Sequence, residues 1–159
     1  MLLGNPNTVV GKTNQVAGQI LVDKSDVSKS QVGVIKVDLS TMQTDNNLRN
    51  RTLQGRIFET SDPSNQFATF TPKTLTGLPA TVAVGQTVSF TIVGDLALHG
   101  VTRTEMFAAQ VTAQSATVLT GQAQTTMKYE DFNLAIPDVP SVTGVTDNVT
   151  LAITFTARA

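Results

Sequence analysis

Long stretches of this sequence alternate strictly between apolar and polar residues, and this alternation limits the possible folds more than any other feature. It is clearest in residues 148–158, where Thr or Ala separates the apolar residues Val149, Leu151, Ile153 and Phe155. Successive side chains of a β-strand point to opposite faces, so the pattern predicts strands with one buried and one exposed face.

The same alternation recurs along most of the chain. The segments that show it are 16–23, 32–39, 88–98, 101–111 and 117–129. His99 and Gly100 lie between two of these segments and fit a tight hairpin turn, because glycine accepts a positive φ. We therefore predict an all-β chain built from antiparallel hairpins, with Thr91, Thr150 and Thr154 on the outward face.

Composition supports this prediction. Hydrophobic residues make up 40% of the 159 residues and charged residues 14%, well below the usual charged share of about 25%. The exposed face must therefore consist largely of Thr, Gln, Asn and Ser, which suits strands better than helices. The length fits a single domain over residues 1–159.

Several classes of function are disfavoured by what the sequence lacks. The net charge is −1 and no run of Lys or Arg occurs, so nucleic acid is not expected as a partner. The chain has no Cys and one His, which excludes thiolate and multi-histidine metal sites. No stretch of about 18 apolar residues occurs, so we expect no membrane span, and no motif indicates a cofactor.

No arrangement of residues indicates catalysis. The sequence contains no G-x-S-x-G elbow, and Glu130 and Asp131 are adjacent, so on a strand they would face opposite ways and could not act as a carboxylate pair. We interpret His99 as a turn residue whose ring is hydrogen-bonded to a neighbouring group. We therefore expect a protein that is not an enzyme.

One segment departs from the strand pattern. In residues 46–54, Leu48 and either Thr52 or Leu53 fall at helical spacing, and Thr44 or Asp45 can cap the first turn. We predict one short helix there.

Small residues recur at positions that the alternation assigns to the inner face. They are Gly18, Gly33, Gly94, Ala109, Gly121 and Ala123. A closed sheet of about eight strands is either filled by its side chains or holds one small ligand, so small residues could leave a cavity. The glycines could equally mark bulges or tight curvature. The alternation alone leaves both readings open.

The ordered set of segments resembles the YceI-like family of bacterial lipid-binding proteins. The resemblance is carried by residues 9–23, 35–53, 67–72, 93–103, 129–140 and 149–157. Its most specific parts are the hairpin GDLALHGVTR and the Asp-Phe pair at residues 131–132.

This resemblance implies an antiparallel, lipocalin-like β-barrel of about eight strands with one short helix. Family members hold polyisoprenoid chains such as quinone tails, are generally periplasmic or secreted, and are not an established enzyme family. The implied function is binding, storage or transport of an elongated apolar molecule, an isoprenoid or other long-chain lipid. The alternative is a structural or interaction module with a filled core.

We expect the ligand to be bound by the apolar lining, and its volume to come from Gly94, Gly121 and Ala123 rather than from a charged anchor. The candidate ligand-binding residues are Ile35, Val37, Phe58, Phe70, Phe90, Ile92, Gly94, Leu96, Leu98, Phe107, Gly121, Ala123, Phe132, Leu151, Ile153 and Phe155. Val111 is expected to point inward with them.

Two departures from the family pattern have structural consequences, and a third, at Asn133, is benign. One lies in residues 61–70, where the family tends to have Tyr-Pro before the Phe-containing strand and this sequence has about two extra residues and no Tyr, which affects the shape expected for the pocket near Phe58 and Phe67.

The other departure concerns a strand. Family members usually have a further strand ahead of the segment that matches residues 9–23, so we expect a gap between that segment and residues 148–158. A gap exposes unpaired backbone, and pairing with a second copy as a homodimer, or with the chain's own N-terminus, would fill it. Asn133 replaces a glycine that usually follows Asp-Phe, and Asn tolerates the left-handed region.

Overall fold

The computed structural model describes residues 9–136 and 147–159. These residues form mainly β-strands, as the alternation predicts, with one short α-helix. The elements in chain order are β1 (Val16–Ala17), β2 (Ile20–Leu21), β3 (Gln31–Val32), β4 (Ile35–Asp38), α1 (Asn47–Thr52), β5 (Phe67–Thr76), β6 (Thr87–Leu98), β7 (Val101–Ala113), β8 (Val118–Lys128) and β9 (Asn148–Arg158).

Seven strands form one antiparallel sheet in the order β1, β4, β5, β6, β7, β8, β9, while β2 and β3 form a separate pair. This sheet is a half-barrel, and the predicted barrel does not close within the described residues, where β1 and β9 are its two ends. These end strands lie in the two segments predicted to flank a gap. Residues 1–8, the chain's own candidate for filling it, lie outside the described residues.

The predicted hairpin at His99 and Gly100 is confirmed. Both residues have positive φ, 52° and 74°, the arrangement required of a two-residue turn of type I′. The turn sets the register of the two longest strands, with Leu98 opposite Val101. Because the side-chain period of a strand is two, this register fixes which residues of β6 and β7 face inward.

The predicted inner face of the large strands is confirmed. The buried inward residues are Ile92, Leu96, Leu98 and Phe107, and the half-buried ones are Phe90, Val111, Leu151, Ile153 and Phe155. Thr150 and Thr154 are exposed on the outer face, whereas Thr91 is half-buried.

The two N-terminal segments differ from the prediction. Each was expected to be one half-buried strand, but each is divided into two short strands, and the side chains of Val16 and Val22 are 39% and 42% exposed. A Cβ atom at Gly18 would lie 3.2 Å from the Ile35 side chain, so the chain crosses closely there as it passes from β1 to the β2–β3 pair. Gly18 and Gly33 therefore mark breaks between strands and do not line an interior.

A bulge in β5 changes which of its residues face inward. The register to β6 shifts between Pro72 and Thr74, consistent with the confinement of proline to bulges and edges. As a result Leu75 lies opposite Ile92 and packs against the core. The extra residue, Lys73, forms an ion pair with Asp95, Nζ to Oδ2, at 2.7 Å.

The short helix is confirmed at Asn47–Thr52, but its cap differs from the prediction. The side chain of Asn46 accepts hydrogen bonds from the backbone N–H groups of Leu48 and Arg49. Thr44 instead accepts from the backbone N–H of Asn46. Asn and Asp cap helices about equally well, so the residue preferences alone do not choose among neighbouring polar residues.

The core is closed at one side by the short 3-10 segment Tyr129–Phe132. Phe132 is fully buried, with 0% of its surface exposed. The following residue, Asn133, has a φ of 55°, which confirms the left-handed conformation predicted for it. The Nε of Arg103 donates a hydrogen bond to the backbone carbonyl of Asp131 at 2.9 Å, which ties this segment to β7.

Candidate functional site

The inner face of the half-barrel carries a row of side chains that runs across β6, β7, β8 and β9. Phe90 lies opposite Ala109, Ala109 opposite Ala123, and Ala123 opposite Ile153. The four side chains of this row are therefore large, small, small and large in turn. This arrangement suits a curved sheet, because the small middle residues leave space for the outer two and for the core packed above them.

The sixteen candidate residues fall into two groups of different accessibility. The buried group is Phe70, Ile92, Gly94, Leu96, Leu98, Phe107, Ala123 and Phe132. The half-exposed group is Ile35, Val37, Phe58, Phe90, Gly121, Leu151, Ile153 and Phe155. Only the second group, without Gly121, whose inner side is covered by the Phe155 ring, can contact a ligand without rearrangement of the core.

The glycines expected to leave a cavity are covered by aromatic rings. A Cβ atom at Gly94 would lie 2.8 Å from Cζ of Phe70, and one at Gly121 would lie 2.8 Å from Cζ of Phe155. Backbone carbonyl oxygens of neighbouring strands lie closer still, at 2.4 Å and 2.5 Å respectively. The prediction that these glycines provide open volume is therefore wrong: they are small because rings and backbone approach them.

Ala123 does not open onto free space either. It is 5% exposed, and its neighbour Ala109 is 3% exposed. Replacing Ala123 by a bulky residue would overpack the core, so such a change tests packing rather than ligand binding.

Accessible apolar surface lies at the open side of the half-barrel. Ile35 and Val37 on β4, and Leu151 and Ile153 on β9, all pack against the same buried cluster although their strands lie near opposite ends of the sheet. These four half-exposed side chains border the same core, and we call the accessible apolar surface that they form the open-side cleft.

Sequence reasoning missed six of the partly buried apolar residues that pack against the core, namely Val32, Met42, Ile57, Leu75, Val101 and Tyr129. Leu75 was missed because alternation from Phe70 places it outward, and only the bulge reverses it. Val32 packs against the core from the separate β2–β3 pair. No local sequence signal reveals either placement.

One partly buried carboxyl group lies on the inner face of β7. Glu105 is two residues from buried Phe107 on the same strand, so it faces the same side. Burial raises the pKa of the Glu105 carboxyl, the negative charge of Asp131 raises it further, and Arg103 opposes the change. These groups form the polar border of an otherwise apolar face.

His99 behaves as the sequence predicts for a turn histidine. Its Nε2 lies 2.8 Å from Oε2 of Glu59. Its Nδ1 is buried and has no hydrogen-bond partner in the part of the chain that the structure describes. A buried N–H without an acceptor is costly, so the ring proton belongs on Nε2, where it is donated to Glu59.

Two concavities of about 530 and 320 Å³ lie on the outer face rather than in the half-barrel. Gln110 and Gln122 line both. A row of opposed threonines crosses this face, formed by Thr87, Thr112, Thr120 and Thr156. This neutral, hydrogen-bonding surface does not fit an apolar chain.

The described residues 9–136 and 147–159 contain no helix long and apolar enough to cross a membrane. They also contain no cluster of three or more His, Cys, Asp or Glu side chains that could hold a metal ion.

Comparison with known proteins gave a family match and similar folds. The family model described as the YceI-like domain matches residues 2–157. The YceI protein of Campylobacter jejuni is similar in structure, with a TM-score of 0.77 and 18% identity over 98% of this chain and 87% of that one. BcnA of Burkholderia cenocepacia gives a TM-score of 0.69 at 19% identity, covering 92% of this chain and 86% of its own.

A polyisoprenoid binding domain from Saccharophagus degradans, implicated in plant cell wall breakdown, has a TM-score of 0.66 at 19% identity. The match covers 91% of this chain and 82% of that domain. No curated protein matches the chain. At these identities the structural likenesses establish a shared fold.

Proposed function

Because the chain belongs to the YceI-like family, we propose that it binds an elongated apolar molecule of the isoprenoid class in the open-side cleft. The single observation that carries this proposal is the set of half-exposed apolar side chains on β4 and β9 that rest on one buried cluster. A polyisoprenoid binding domain with the same fold supports the choice of ligand class.

The energetics favour a ligand held by its chain rather than by its head group. Burial contributes about 0.8 kcal/mol per methylene, so a few isoprene units bound along the cleft suffice for micromolar affinity. The polar border formed by Glu105 and Arg103 is available to a polar end of the molecule. A role as a carrier in the periplasm or outside the cell belongs to the same proposal, as does the absence of an enzymatic activity.

A structural or interaction module with a filled core is the second candidate. The specific observation in its favour is that aromatic rings cover Gly94 and Gly121, so the interior beneath the sheet is packed. The two candidates differ in whether the open-side cleft takes up an apolar ligand.

The test is to extract the purified protein with organic solvent, identify the extract by mass spectrometry, and measure uptake of a labelled polyisoprenoid. Leu151→Gln places an amide in the cleft, whereas Thr150→Gln places the same side chain on the outer face of the same strand. We expect the first change to weaken uptake about tenfold, the loss of about 1.4 kcal/mol of apolar contact, and the second to leave it unchanged.

Thermal melts of both variants control for folding. If the extract contains no apolar molecule and the parent takes up no polyisoprenoid, the filled module is the better description. Equal uptake by both variants would place any binding outside the cleft.

A further inference from the structure

The helix α1 and the π-helical turn Leu53–Ile57 that continues it have one side on the core and one side open to solvent. Phe58, which follows the turn, packs against the buried cluster. On the other side, Leu48, Arg51 and Gly55 follow one another at spacings of three and four residues, which place them on one helical face. All three are exposed, and a Cβ atom at Gly55 would meet no atom of the described residues within 4 Å.

This open side combines an apolar side chain with cations that have no counter-charge. Leu48 is 72% exposed, the highest value among the large apolar side chains of the described residues. Arg51 and Arg56 are exposed, and neither forms an ion pair with a described residue. Asp45, the acidic residue just before α1, is paired with Arg49. The positive charge of the open side is therefore available to a partner.

Exposure alone does not select Leu48, because folded proteins expose many apolar atoms. Val84 is 64% exposed, but it lies in the loop of residues 77–86, which contains no charged residue. The two unpaired arginines thus distinguish the surroundings of Leu48 from those of Val84.

We propose that the α1 face, formed by Leu48, Arg51, Gly55 and Arg56, docks on the surface of a membrane that contains anionic lipids. The arginines contact lipid phosphate groups, which the guanidinium fork matches in charge and geometry. Leu48 enters the boundary between head groups and acyl chains, as the apolar residues of interfacial helices do. A lipid surface thus satisfies both the cations and the exposed leucine, whereas an acidic protein surface satisfies the cations only.

The position of the α1 face connects docking with ligand uptake. Nε2 of His99, in the turn between β6 and β7, lies 2.8 Å from Oε2 of Glu59, so the α1 segment lies at the end of the half-barrel that carries this turn. Docking therefore brings this end of the half-barrel to the membrane. The α1 face does not include the open-side cleft, so docking stands or fails independently of polyisoprenoid uptake, and the two are measured separately.

The first test measures sedimentation of the protein with vesicles of phosphatidylcholine alone and with vesicles of phosphatidylcholine and phosphatidylglycerol in equal parts. Each basic residue near an anionic surface strengthens binding about fivefold. We therefore expect the parent to bind the anionic vesicles about tenfold more tightly, and this preference to weaken as salt is raised. Arg51→Glu combined with Arg56→Glu should weaken binding to the anionic vesicles about tenfold or more.

A matched control reverses two cations at the opposite end of the strands, Lys24→Glu combined with Arg158→Glu. Both side chains are exposed, and neither forms an ion pair with a described residue. Lys24 lies close in sequence to Val27, whose N–H bonds the carbonyl of Ala80 in the loop between β5 and β6, and Arg158 lies opposite Val118 at the start of β8. This variant has the same net charge as the first and should bind like the parent.

A second test reports which surface touches the lipid. The chain contains no tryptophan, so Leu48→Trp introduces a single fluorescent probe on the α1 face. Its emission should shift to shorter wavelengths when anionic vesicles are added, because indole is favoured in the head-group region. Val84→Trp places the same probe at a similarly exposed position in an uncharged loop, and its emission should stay unchanged.

Thermal melts of all variants control for folding. A parent that binds neither kind of vesicle overturns the proposal and leaves an acidic protein surface as the partner of matching charge. Equal binding to both kinds of vesicle also overturns it, because the arginines then have no role. Equal losses in the two charge-reversal variants, or equal shifts for Leu48→Trp and Val84→Trp, would place the contact outside the α1 face.

Discussion

The Nε2 atom of His99 lies 2.8 Å from Oε2 of Glu59, and both residues have left-handed backbone angles, with φ of 52° and 51°. The hydrogen bond links the turn between β6 and β7 to the loop that follows α1 and the adjoining π-helical turn Leu53–Ile57. Two conformations that cost energy in non-glycine residues are thus joined by one contact.

We expect this contact to stabilise both turns together. His99→Asn and Glu59→Asn each remove the hydrogen bond while retaining a residue type that tolerates the left-handed region. Each change should lower the free energy of unfolding by about 0.5–1 kcal/mol, and the double variant should lose less than the sum. Urea denaturation of the four proteins of this cycle measures the coupling, and strictly additive losses would show that the two residues act independently.

Gly94 should not tolerate a side chain. Its Cβ would lie 2.4 Å from the carbonyl oxygen of Thr71, which cannot move without distorting β5. Gly94→Ala should therefore destabilise the protein by about 1–3 kcal/mol. Gly55→Ala is the matched control, because a Cβ there meets nothing within 4 Å, and its melting temperature should equal or exceed that of the parent.

Phe132 should be the most sensitive single position in the core. It is 0% exposed, so Phe132→Ala should cost about 3–5 kcal/mol through lost burial and the resulting cavity. Phe67→Ala, at a ring that is 36% exposed and lies beneath Lys36, should cost clearly less. Chemical denaturation of both variants makes the comparison, and equal losses would mean that the segment around Phe132 does not close the core.

We expect Arg103 to stabilise the 3-10 segment that contains Phe132 through a hydrogen bond. Its charge alone should contribute little. Arg103→Gln removes the hydrogen bond to the Asp131 carbonyl, so amide hydrogen exchange should accelerate in residues 129–134. Exchange in β9, which does not pair with the strand that carries this arginine, is the internal control. Unchanged exchange in 129–134 would contradict the tethering role.

Glu105 should make stability depend on pH in a defined direction. Burial raises the pKa of its carboxyl above the ordinary value of 4.5, so the folded protein holds that proton more tightly than the unfolded chain. The folded state is thus favoured below the ordinary pKa, and this contribution is lost as pH rises through the folded pKa.

Glu105→Gln removes the ionisation, so the variant should melt at a higher temperature than the parent at about pH 7, and the difference should vanish at about pH 3.5. Asp95→Asn is a control of opposite sign. The hydrogen bond with Lys73, then the hydrogen bond from Thr104 and least the charge of Lys73, hold the pKa of Asp95 below its usual value, so this variant should lose stability at neutral pH. A Glu105 variant that is less stable at neutral pH would contradict the burial argument.

The sequence predicted the large strands well and the N-terminal region poorly, for a physical reason. In β6 to β9 one face is buried over 11 to 13 residues, so alternation is enforced at many positions. β1 to β4 are short, and residues such as Val16 and Leu21 are exposed, so burial does not enforce a pattern there. The β-strand propensity of these residues therefore did not predict the short strands of that region correctly.

The candidate site was predicted only in part. The alternation along each strand predicted which residues face inward, but it did not predict whether the space next to them is open or filled. That depends on contacts distant in sequence, such as the ring of Phe155 over Gly121 and the placement of Phe132. The bulge at Lys73 likewise depends on the pairing of two strands and not on local composition.

The order of strands in the sheet also sets the course of folding. From β5 to β9 every strand pairs with its neighbour in sequence, whereas β1 reaches the sheet only through β4, across the ribbon of β2 and β3. Contacts between sequence neighbours close short loops and form early. The β5–β9 meander should thus assemble first, and residues 9–38 should dock afterwards and be the first to open in native-state hydrogen exchange.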